Sequence, residues 1–400
     1  MPSNFKVNIS GTQTDTDDVF LLRENYPVLA EGNYGGSLYV WGRNDFGQLG
    51  QNNRSSAYTN SPIQVGTTSD WKTGTFTKSV LAIKTNGTLW GWGANPTGSL
   101  GLNDTIHRSS PVQIGTGTDW KDVVVGQLVP GTSTFTTSFT LAIKTDGTLW
   151  GWGANDFGQL GSNNTINRSS PVQIGTTNGW KKVLTGEYCV LALKNDGTLW
   201  GWGRNDRGQL GSNNTIDRSS PVQIGSNSNW KDIAVMNHVL AIKTDGTLWG
   251  WGFNNFGELG LNNIVNGSSP VQIGTNTDWK KIHGAITQND TPLTPGHSCA
   301  IKTDNTLWVW GYNHNGQLGD NTIVSKSSPI QIGTSTDWFN IRAFNSKSSF
   351  GLKTDGSLWT WGNNFSELII LASSPVQIGT LTRWKNTNFG GGVTGGAILL

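Results

Sequence analysis

Short apolar segments of about five residues, separated by Gly, Asn, Asp and Ser, recur along the chain and predict β-strands. Residues 180–225 contain four of them in succession, KKVLTG, CVLALK, TLWGWG and SPVQIG, which predicts a four-stranded antiparallel unit. The second Trp of the third segment recurs with spacings between 49 and 60 residues. A period in this range is typical of a repeat architecture. The copies of this residue are Trp41, Trp92, Trp152, Trp202, Trp251, Trp310 and Trp361.

The connection between the second and third predicted strands is a tight turn. It contains Asp-Gly in four copies, at Asp146, Asp196, Asp245 and Asp355. Asp-Gly is a favoured pair for a two-residue type I′ hairpin, which needs positive φ. Asn305 replaces the Gly in one copy, and Asn is the next best residue for that conformation. We therefore predict two-residue type I′ turns.

The 20 Trp residues all fall at three positions of the repeat. Seven lie at the end of the third strand, six lie two residues earlier, and seven open the copies, while Tyr39 takes the one remaining place. A single four-stranded sheet cannot bury aromatic side chains on both faces, so the sheets must stack around an axis, as in a β-propeller. We assign all these Trp to the core between blades and not to ligand sites.

The motifs GTLWGWGANDFGQLG, SSPVQIG and VLAIKTDG resemble those of the regulator of chromosome condensation repeat family, over about residues 37–400. The resemblance implies an all-β fold, a seven-bladed β-propeller with four-stranded antiparallel blades. It also implies that the strand after the opening Trp lies innermost and that the Pro-Val strand lies outermost.

The order of the segments predicts how the ring closes. The chain enters the repeat at a third strand, residues 38–41, and ends with an opening Trp384, a Gly-rich segment over 388–393 and an apolar segment over 397–400. We therefore expect both termini to complete blade 1 of the propeller. Residues 1–36 are then surplus to the propeller and form an arm for attachment or assembly. In blade 7, a degraded copy, residues 367–371 are apolar surface that meets a neighbour, and a shortened capping loop explains them equally well. The candidate assembly contacts are Phe5, Val7, Phe20, Leu21, Leu368 and Ile369.

Composition and charge exclude several classes of protein. The formal net charge is only +2 and no block of like charge occurs, so the electrostatic footprint of nucleic-acid binding is missing. No apolar run approaches the ~18 residues of a membrane span, and the start MPSNFKVNIS lacks a secretory signal. Cys189 and Cys299 are too few for a disulfide framework. With 54 Gly and 14% charged residues, the chain is rich in turns and strands.

The sequence contains no recognisable catalytic or metal-binding constellation. The five His are scattered, without His-Glu-x-x-His or paired Cys-x-x-Cys spacing. The G-W-G-x-N-x-x-G stretch leads from one strand into another, so it lacks the helix N-terminus of a dinucleotide site. We expect a non-enzymatic protein with no cofactor and no metal. His238 and His297 are assigned to the inner ring of the fold.

The copies differ mainly on one predicted face. Antiparallel blades place the first-to-second and third-to-fourth connections there, and the two long insertions, 127–138 and 284–296, both fall on it. Insertions on one face of a repeat protein often mark its binding side, and drift of unconstrained loops explains them equally well. In the third-to-fourth turns we expect Phe to pack against the adjacent turn, and the residues that replace it are better candidates for contact. The candidate binding-face residues are Thr97, Ser133, Phe135, Arg207, Asp290, Thr291 and Asn315.

Three functions fit the sequence. The first is a structural or binding propeller that docks through its arm and presents one loop face. The arm followed by such repeats resembles proteins of tailed bacteriophages. This resemblance implies a virion component such as a tail fibre or host-attachment protein, located in the phage particle or, failing that, in the cytoplasm. Its partners would be other proteins of an assembly, a host-surface protein or a glycan.

The second function is guanine-nucleotide exchange on a small GTPase, the activity of the family's namesake. The loop wedge and basic tail associated with that activity have no match in this sequence. The third is glycan binding at repeated sites, for which the abundance of Trp and Asn is suggestive but already explained by the repeat.

Overall fold

The computed structural model describes residues 19–24, 37–128, 137–186, 188–284, 296–344, 347–363 and 371–378. These residues form strands, turns and bends, and within them no helix is long and apolar enough to cross a membrane. The strands make seven antiparallel sheets in chain order, the first with three strands and the other six with four. The predicted all-β fold with repeated four-stranded antiparallel blades is confirmed.

Every strand of a blade pairs with the next one along the chain. Blade 1 consists of β1 (Val19–Glu24), β2 (Ser37–Asn44) and β3 (Ser55–Gln64). Blade 2 consists of β4 (Trp71–Phe76), β5 (Ser79–Lys84), β6 (Leu89–Gly93) and β7 (Arg108–Gln113). Blade 3 consists of β8 (Trp120–Leu128), β9 (Thr137–Lys144), β10 (Leu149–Gly153) and β11 (Arg168–Gln173). Blade 4 consists of β12 (Trp180–Thr185), β13 (Cys189–Lys194), β14 (Leu199–Gly203) and β15 (Arg218–Gln223).

The remaining blades have the same plan. Blade 5 consists of β16 (Trp230–Val235), β17 (His238–Lys243), β18 (Leu248–Gly252) and β19 (Gly267–Gln272). Blade 6 consists of β20 (Trp279–Gly284), β21 (His297–Lys302), β22 (Leu307–Gly311) and β23 (Lys326–Gln331). Blade 7 consists of β24 (Trp338–Phe344), β25 (Ser348–Lys353), β26 (Leu358–Asn363) and β27 (Leu371–Gln377).

The first strands of blades 2 to 7 lie next to one another. β4, β8, β12, β16, β20 and β24 each form one edge of their sheet, and successive members of this series contact one another. The fourth strand forms the opposite edge, where its Pro removes a backbone donor from the exposed side. The expected order, with the strand after the opening Trp innermost, is therefore confirmed in these blades.

The hairpins between second and third strands are three-residue loops, so the prediction of type I′ turns is wrong. In blade 3, Lys144 N–H donates to Thr148 O at 3.0 Å, and Gly147 N–H donates to Lys144 O at 2.9 Å. Gly147 has a φ of 81°, whereas Asp146 has no positive φ. Because Asp146 Oδ1 accepts hydrogen bonds from both the N–H and the hydroxyl of Thr148, the turn takes the type I form with a Gly bulge.

The opening Trp and the second Trp of the third strand form the core between blades, as expected. In blade 4, Trp180 and Trp202 are buried against Phe139, Leu141 and Leu149 of blade 3. The two indole rings meet edge to face with centroids 6.0 Å apart. Equivalent pairs lie 5.6–6.3 Å apart in the other four-stranded blades.

The first Trp of the third strand is only half-buried, so its assignment to the core needs correction. Trp200 Nε1–H donates to Thr198 Oγ1 at 2.9 Å, at the hairpin end of blade 4. Lys194 Nζ lies 4.6 Å from the ring centroid of Trp180 and 4.4 Å from that of Trp200. A Lys covers two Trp rings in this way in each four-stranded blade. These cation–π contacts stabilise the hairpin end of each core.

Buried hydrogen bonds join each blade to the one before it. Trp202 Nε1–H donates at 2.9 Å to the carbonyl of Gln159, in the third-to-fourth turn of blade 3. The equivalent bonds of blades 2, 3, 5 and 6 measure 2.7–3.0 Å. In addition, Asn163 N–H donates to Ser219 O on β15 at 2.7 Å. The third-to-fourth turns of blades 1 to 6 are therefore fastened to the following blade.

Residues 19–24 belong to blade 1, whereas we expected residues 1–36 to be surplus to the propeller. β1 pairs with β2 so that Val19 lies opposite Gly42 and Phe20 opposite Trp41. In blade 2 the second strand, β5, pairs with the third strand, β6, in the same register, since Ser79 lies opposite Gly93. The arm thus contributes a strand to blade 1. The segment 397–400 lies outside the described residues, so closure by both termini stays a prediction.

Substitution of Gly158 tests the contact between the third-to-fourth turn of blade 3 and strand β15 of blade 4. Its φ is +75°, and a Cβ at this position would lie 2.4 Å from Ser219 Cα. We expect Gly158→Ala to lower the free energy of unfolding in urea by about 3 kcal/mol or more, because backbone must shift in addition to the left-handed strain.

Gly175→Ala is the matched control. Gly175 has a φ of +64°, but a Cβ added there would meet nothing within 4 Å. Its substitution should lower the free energy of unfolding only by the cost of the left-handed conformation, about 1–2 kcal/mol. Equal losses in the two variants would contradict the close approach of turn and blade.

Candidate functional site on the loop face

The loop face is the face that carries the first-to-second and third-to-fourth connections. Its third-to-fourth loops in blades 2 to 6 are organised by one buried Asn in each. In blade 4, Asn205 Oδ1 accepts from Leu210 N–H at 2.9 Å, and Asn205 Nδ2 donates to the carbonyls of Asn214 and Ile216 at 2.9 and 3.2 Å. Asn95, Asn155, Asn254 and Asn313 make the same set of bonds. The loop backbone is therefore fixed in blades 2 to 6.

Each of these fixed loops presents an aliphatic side chain to solvent. Because the carbonyl of Ile216 is bound by the buried Asn205, the side chain points outward and is 59% exposed. Blades 5 and 6 carry a second exposed aliphatic beside the first. We name these residues the rim aliphatics: Ile106, Ile166, Ile216, Ile264, Val265, Ile323 and Val324, each 57–69% exposed.

The Phe of the third-to-fourth turn packs on the following blade, as predicted. The ring centroids of Phe157 and Tyr188 are 4.4 Å apart, and those of Phe256 and Tyr312 are 5.0 Å apart. Phe46 meets His107 in the same way, edge to face at 5.2 Å.

The candidates Thr97 and Arg207, at the same turn position, also reach the next blade. Thr97 Oγ1 donates to Ser138 O at 2.8 Å, and the Arg207 guanidinium lies 5.0 Å from the ring centroid of Phe253. Asn315 is half-buried, and its N–H donates to Gln317 Oε1 at 2.9 Å. These three side chains are partly occupied within the propeller.

Two of the other candidates lie among the described residues. Phe20 and Leu21 lie in β1, paired with Trp41 and Val40. The rest lie outside the described residues: Phe5, Val7, Ser133, Phe135, Asp290, Thr291, Leu368 and Ile369.

Two buried His–Ser pairs lie near the inner end of the loop face. His297 Nε2 is 2.7 Å from Ser349 Oγ, and that hydroxyl donates to Gln317 O at 2.8 Å. Since the hydroxyl proton is committed to the carbonyl, His297 must donate from Nε2. His238 and Ser298 repeat the arrangement, with Ser298 donating to Glu258 O. A Ser that donates to a carbonyl and accepts from His is not an activated nucleophile.

Burial keeps both His neutral. It lowers the pKa of His238 to about 3, and burial together with proximity to His238 lowers the pKa of His297 to about 3. Burial likewise raises the pKa of the Cys299 thiol to about 12, which makes it inert. The assignment of His238 and His297 to the inner ring of the fold agrees with this burial.

Glu258 is the one charged residue in a series of buried turn amides. The equivalent residues Gln48, Gln159, Gln209 and Gln317 each accept the N–H two residues earlier through Oε1. Glu258 Oε2 accepts from Phe256 N–H at 2.8 Å, and Oε1 accepts weakly from Gly296 N–H at 3.4 Å. Burial without a nearby cation raises its pKa to about 7.

Within the described ranges, no group of three His, Cys, Asp or Glu is placed to hold a metal ion. The fold and the face define a class: a repeat β-propeller whose rigid blades present a ring of variable loops.

The chain belongs to the family of regulator of chromosome condensation (RCC1) repeat proteins. The family model for this repeat matches residues 35–74, 86–128, 146–193, 196–241 and 245–285. A second model for the same repeat matches residues 181–209 and 295–317. The resemblance of the sequence motifs to this family is thereby confirmed.

Two relatives show how far the sequence similarity extends. The ultraviolet-B receptor UVR8 of Arabidopsis thaliana is 30% identical over 161 residues, which are 38% of this chain and 33% of the receptor. The X-linked retinitis pigmentosa GTPase regulator of Homo sapiens is 27% identical over 152 residues, which are 38% of this chain and 14% of that protein. The matched segment spans a third or less of either relative.

Solved structures agree over much more of the chain. Human WBSCR16 gives a TM-score of 0.69 at 17% identity, covering 90% of this chain and 96% of its own. Prp20p of Saccharomyces cerevisiae gives a TM-score of 0.68 at 17% identity, covering 92% of each chain. At this identity the likeness establishes the propeller fold and nothing about shared partners.

Sequence reasoning missed two features of this face. The rim aliphatics were visible only as the end of an Asn-Asn-Thr-Ile segment, and their exposure follows from the buried Asn that turns them outward. The sequence shows Glu258 as a single Glu at a turn position where four other blades have Gln, but it does not show that this side chain is buried.

Glu258 predicts a pH dependence of stability. Its folded pKa of about 7 lies above the ordinary value of 4.5, so the folded state binds the proton more tightly. The resulting stabilisation is complete below pH 4.5 and is lost as the pH rises through 7, a change of about 3 kcal/mol. Urea unfolding should therefore show wild type losing stability relative to Glu258→Gln across this range.

The Gln variant is a control supplied by the other blades, since Gln stands at this position in four of them. His238 and His297 titrate in the opposite sense in both proteins, so the difference between the two proteins isolates Glu258. A difference that does not change with pH would contradict the buried carboxyl group.

Proposed function

We propose that this chain is a non-enzymatic protein-binding propeller that recognises a partner protein with its loop face. The observation that carries the proposal is the ring of rim aliphatics. Side chains of this kind are normally buried, and a repeated set held exposed on a rigid surface is typical of an interaction site.

The strongest part of this surface lies on blades 5 and 6. Ile264, Val265, Ile323 and Val324 are 60–69% exposed and come from equivalent loops of adjacent blades. Asn254 and Asn313 hold the backbone of these loops through the carbonyls of Val265 and Val324. Little conformational entropy would be lost there on binding, because the loops are already ordered.

The relatives support binding of protein partners. Among the solved neighbours, Prp20p is described with its binding to Gsp1p and histones, and yeast RCC1 is seen bound to Kap60. Those statements belong to those proteins, and they make a protein partner the natural expectation for a propeller of this family.

The test compares two surface variants of the full chain. The rim variant carries Ile264→Ser, Val265→Ser, Ile323→Ser and Val324→Ser, and the control carries Val271→Ser, which removes a 44% exposed aliphatic from the outer strand β19. A partner captured from the source cells is purified and titrated against each protein. We expect the rim variant to bind about 100-fold more weakly, as for a loss of central contacts.

The control should bind like wild type. Unchanged affinity of the rim variant, or equal loss in both variants, would overturn the proposed surface. Thermal melting of both proteins checks that the fold is intact.

A virion role, nucleotide-exchange activity and glycan binding each have a separate test. A virion role predicts this chain in purified particles of a source phage by mass spectrometry, and removal of residues 1–18 should then abolish its incorporation. Exchange activity predicts faster nucleotide release from a small GTPase, for which the relatives include a GTPase regulator by name. Glycan binding predicts saturable titration with labelled oligosaccharides.

A further inference from the structure

A basic residue begins the fourth strand of blades 2, 3, 4 and 6. It lies opposite the Gly that ends the third strand in each of these blades. It also follows a rim aliphatic by two residues, at the end of the loop that the buried Asn holds. The four residues are Arg108, Arg168, Arg218 and Lys326.

In blades 2 and 6 the loop itself neutralises this cation. Arg108 forms an ion pair with Asp104, and its Nη1 donates to the carbonyl of Ile106 at 2.9 Å. Lys326 Nζ lies 3.4 Å from Asp320 Oδ2. Both cations are therefore paired within their own loops.

Blade 3 has Asn164 at the position of Asp104, and blade 4 has Asn214. Asn164 Oδ1 accepts from Ile166 N–H at 2.9 Å, and Asn164 Nδ2 donates to Ser162 O at 2.9 Å. Asn214 makes the same two bonds, each at 3.0 Å. The Asn thus keeps the loop in the same form as the Asp does, but it brings no negative charge to the cation.

Arg168 and Arg218 are consequently left without a counter-ion. Neither forms an ion pair within the described ranges, and the buried Nε–H of each finds no acceptor there. Asp217 precedes Arg218, but its Oδ1 accepts from Asn205 N–H at 2.7 Å. Buried donors normally have a partner, so these two side chains lack one that the other blades provide. We name Arg168 and Arg218 the unpaired arginines.

Hydrogen bonds between blades join the unpaired arginines to one continuous surface. Asn103 N–H, in the loop of blade 2, donates to Ser169 O at 2.7 Å. Asn163 N–H, in the loop of blade 3, donates to Ser219 O at the same distance. Each unpaired arginine therefore begins the strand to which the loop of the preceding blade is fastened. Each stands beside two loops that carry exposed rim aliphatics.

We propose that the loop face of blades 3 and 4 binds an acidic segment of a partner protein. The carboxylates of the segment pair with the unpaired arginines, and its apolar side chains contact Ile166 and Ile216. A guanidinium group matches a carboxylate with two parallel hydrogen bonds, and Arg is enriched where such contacts dominate binding. This proposal rests on the proposed function, in which the loop face binds protein, and adds the kind of segment that it selects.

A nucleic acid fits this surface less well, because the unpaired charge is confined to two blades. The matching cations of blades 2 and 6 are neutralised, blade 5 has Gly267 at this position, and the formal net charge of the chain is only +2. Ile166 and Ile216 are 57% and 59% exposed, which favours a partner that also offers apolar side chains. A segment in which Glu alternates with Leu supplies both kinds of contact.

The experiment titrates the full chain into a fluorescein-labelled peptide of repeated Glu-Leu-Glu-Gly sequence and follows fluorescence anisotropy at low ionic strength. Wild type should bind with saturation, and Arg168→Gln with Arg218→Gln should weaken binding about tenfold or more. Asn164→Asp with Asn214→Asp should weaken it to a similar extent. This second variant keeps both arginines and gives each the carboxylate that pairs with Arg108 in blade 2.

The matched control is Lys121→Gln with Lys181→Gln. It removes the same charge from the same two blades, at exposed positions near the start of β8 and β12, at the hairpin end opposite to the loop face. Its affinity for the peptide should equal that of wild type. Equal weakening in the control and in the arginine variant would reduce the effect to net charge and overturn the site.

Absence of saturable binding by wild type would also overturn the proposal, as would equal affinity for a peptide with Gln in place of Glu. Tighter binding of a labelled single-stranded oligonucleotide than of the acidic peptide would overturn the choice of a protein segment. The titration can fail while the rim variant of blades 5 and 6 still loses its captured partner. In that case the loop face keeps its protein-binding role and loses its selectivity for acidic segments.

Discussion

The hydrogen bond from a buried indole to the turn of the preceding blade is the interaction on which the rest of the structure depends. The second Trp of the third strand is fully buried in blades 2 to 7, and its N–H has no access to water. A buried donor without an acceptor costs about 1–3 kcal/mol, so the turn carbonyl must come to the same place in each blade. In blades 2 to 6 it does so. In blade 7 the indole of Trp361 has no acceptor among the described residues.

This constraint determines which positions are free to vary. The turn must keep its Gly and its buried Asn, because those residues bring the carbonyl to the indole. The amide side chain is dispensable, since Ser99 replaces it in blade 2 and its carbonyl still accepts from Trp152 at 2.8 Å. Variation is left to other positions of the turn, such as the one occupied by Phe157, Arg207 and Asn315 in blades 3, 4 and 6.

The period of the sequence was enough to predict the strands, their order and the two Trp sets between blades, because each depends on neighbours within one repeat. The details that failed depend on competing local bonds. Asp146 bonds to Thr148 and so changes the turn type, while Trp200 bonds to Thr198 at the surface and is only half-buried. β1 was missed because its connection to β2 lacks the hairpin motif.

The most direct measurement is hydrogen exchange of the indole N–H groups of Trp92, Trp152, Trp202, Trp251 and Trp310, followed by nuclear magnetic resonance in increasing urea. If these bonds hold the blades together, the indoles exchange only when the whole propeller unfolds. Their exchange free energies then equal the free energy of unfolding and fall with urea at the same slope. Exchange that is independent of urea, while strand amides such as Leu191 stay protected, would show that the blades open locally and would contradict the account.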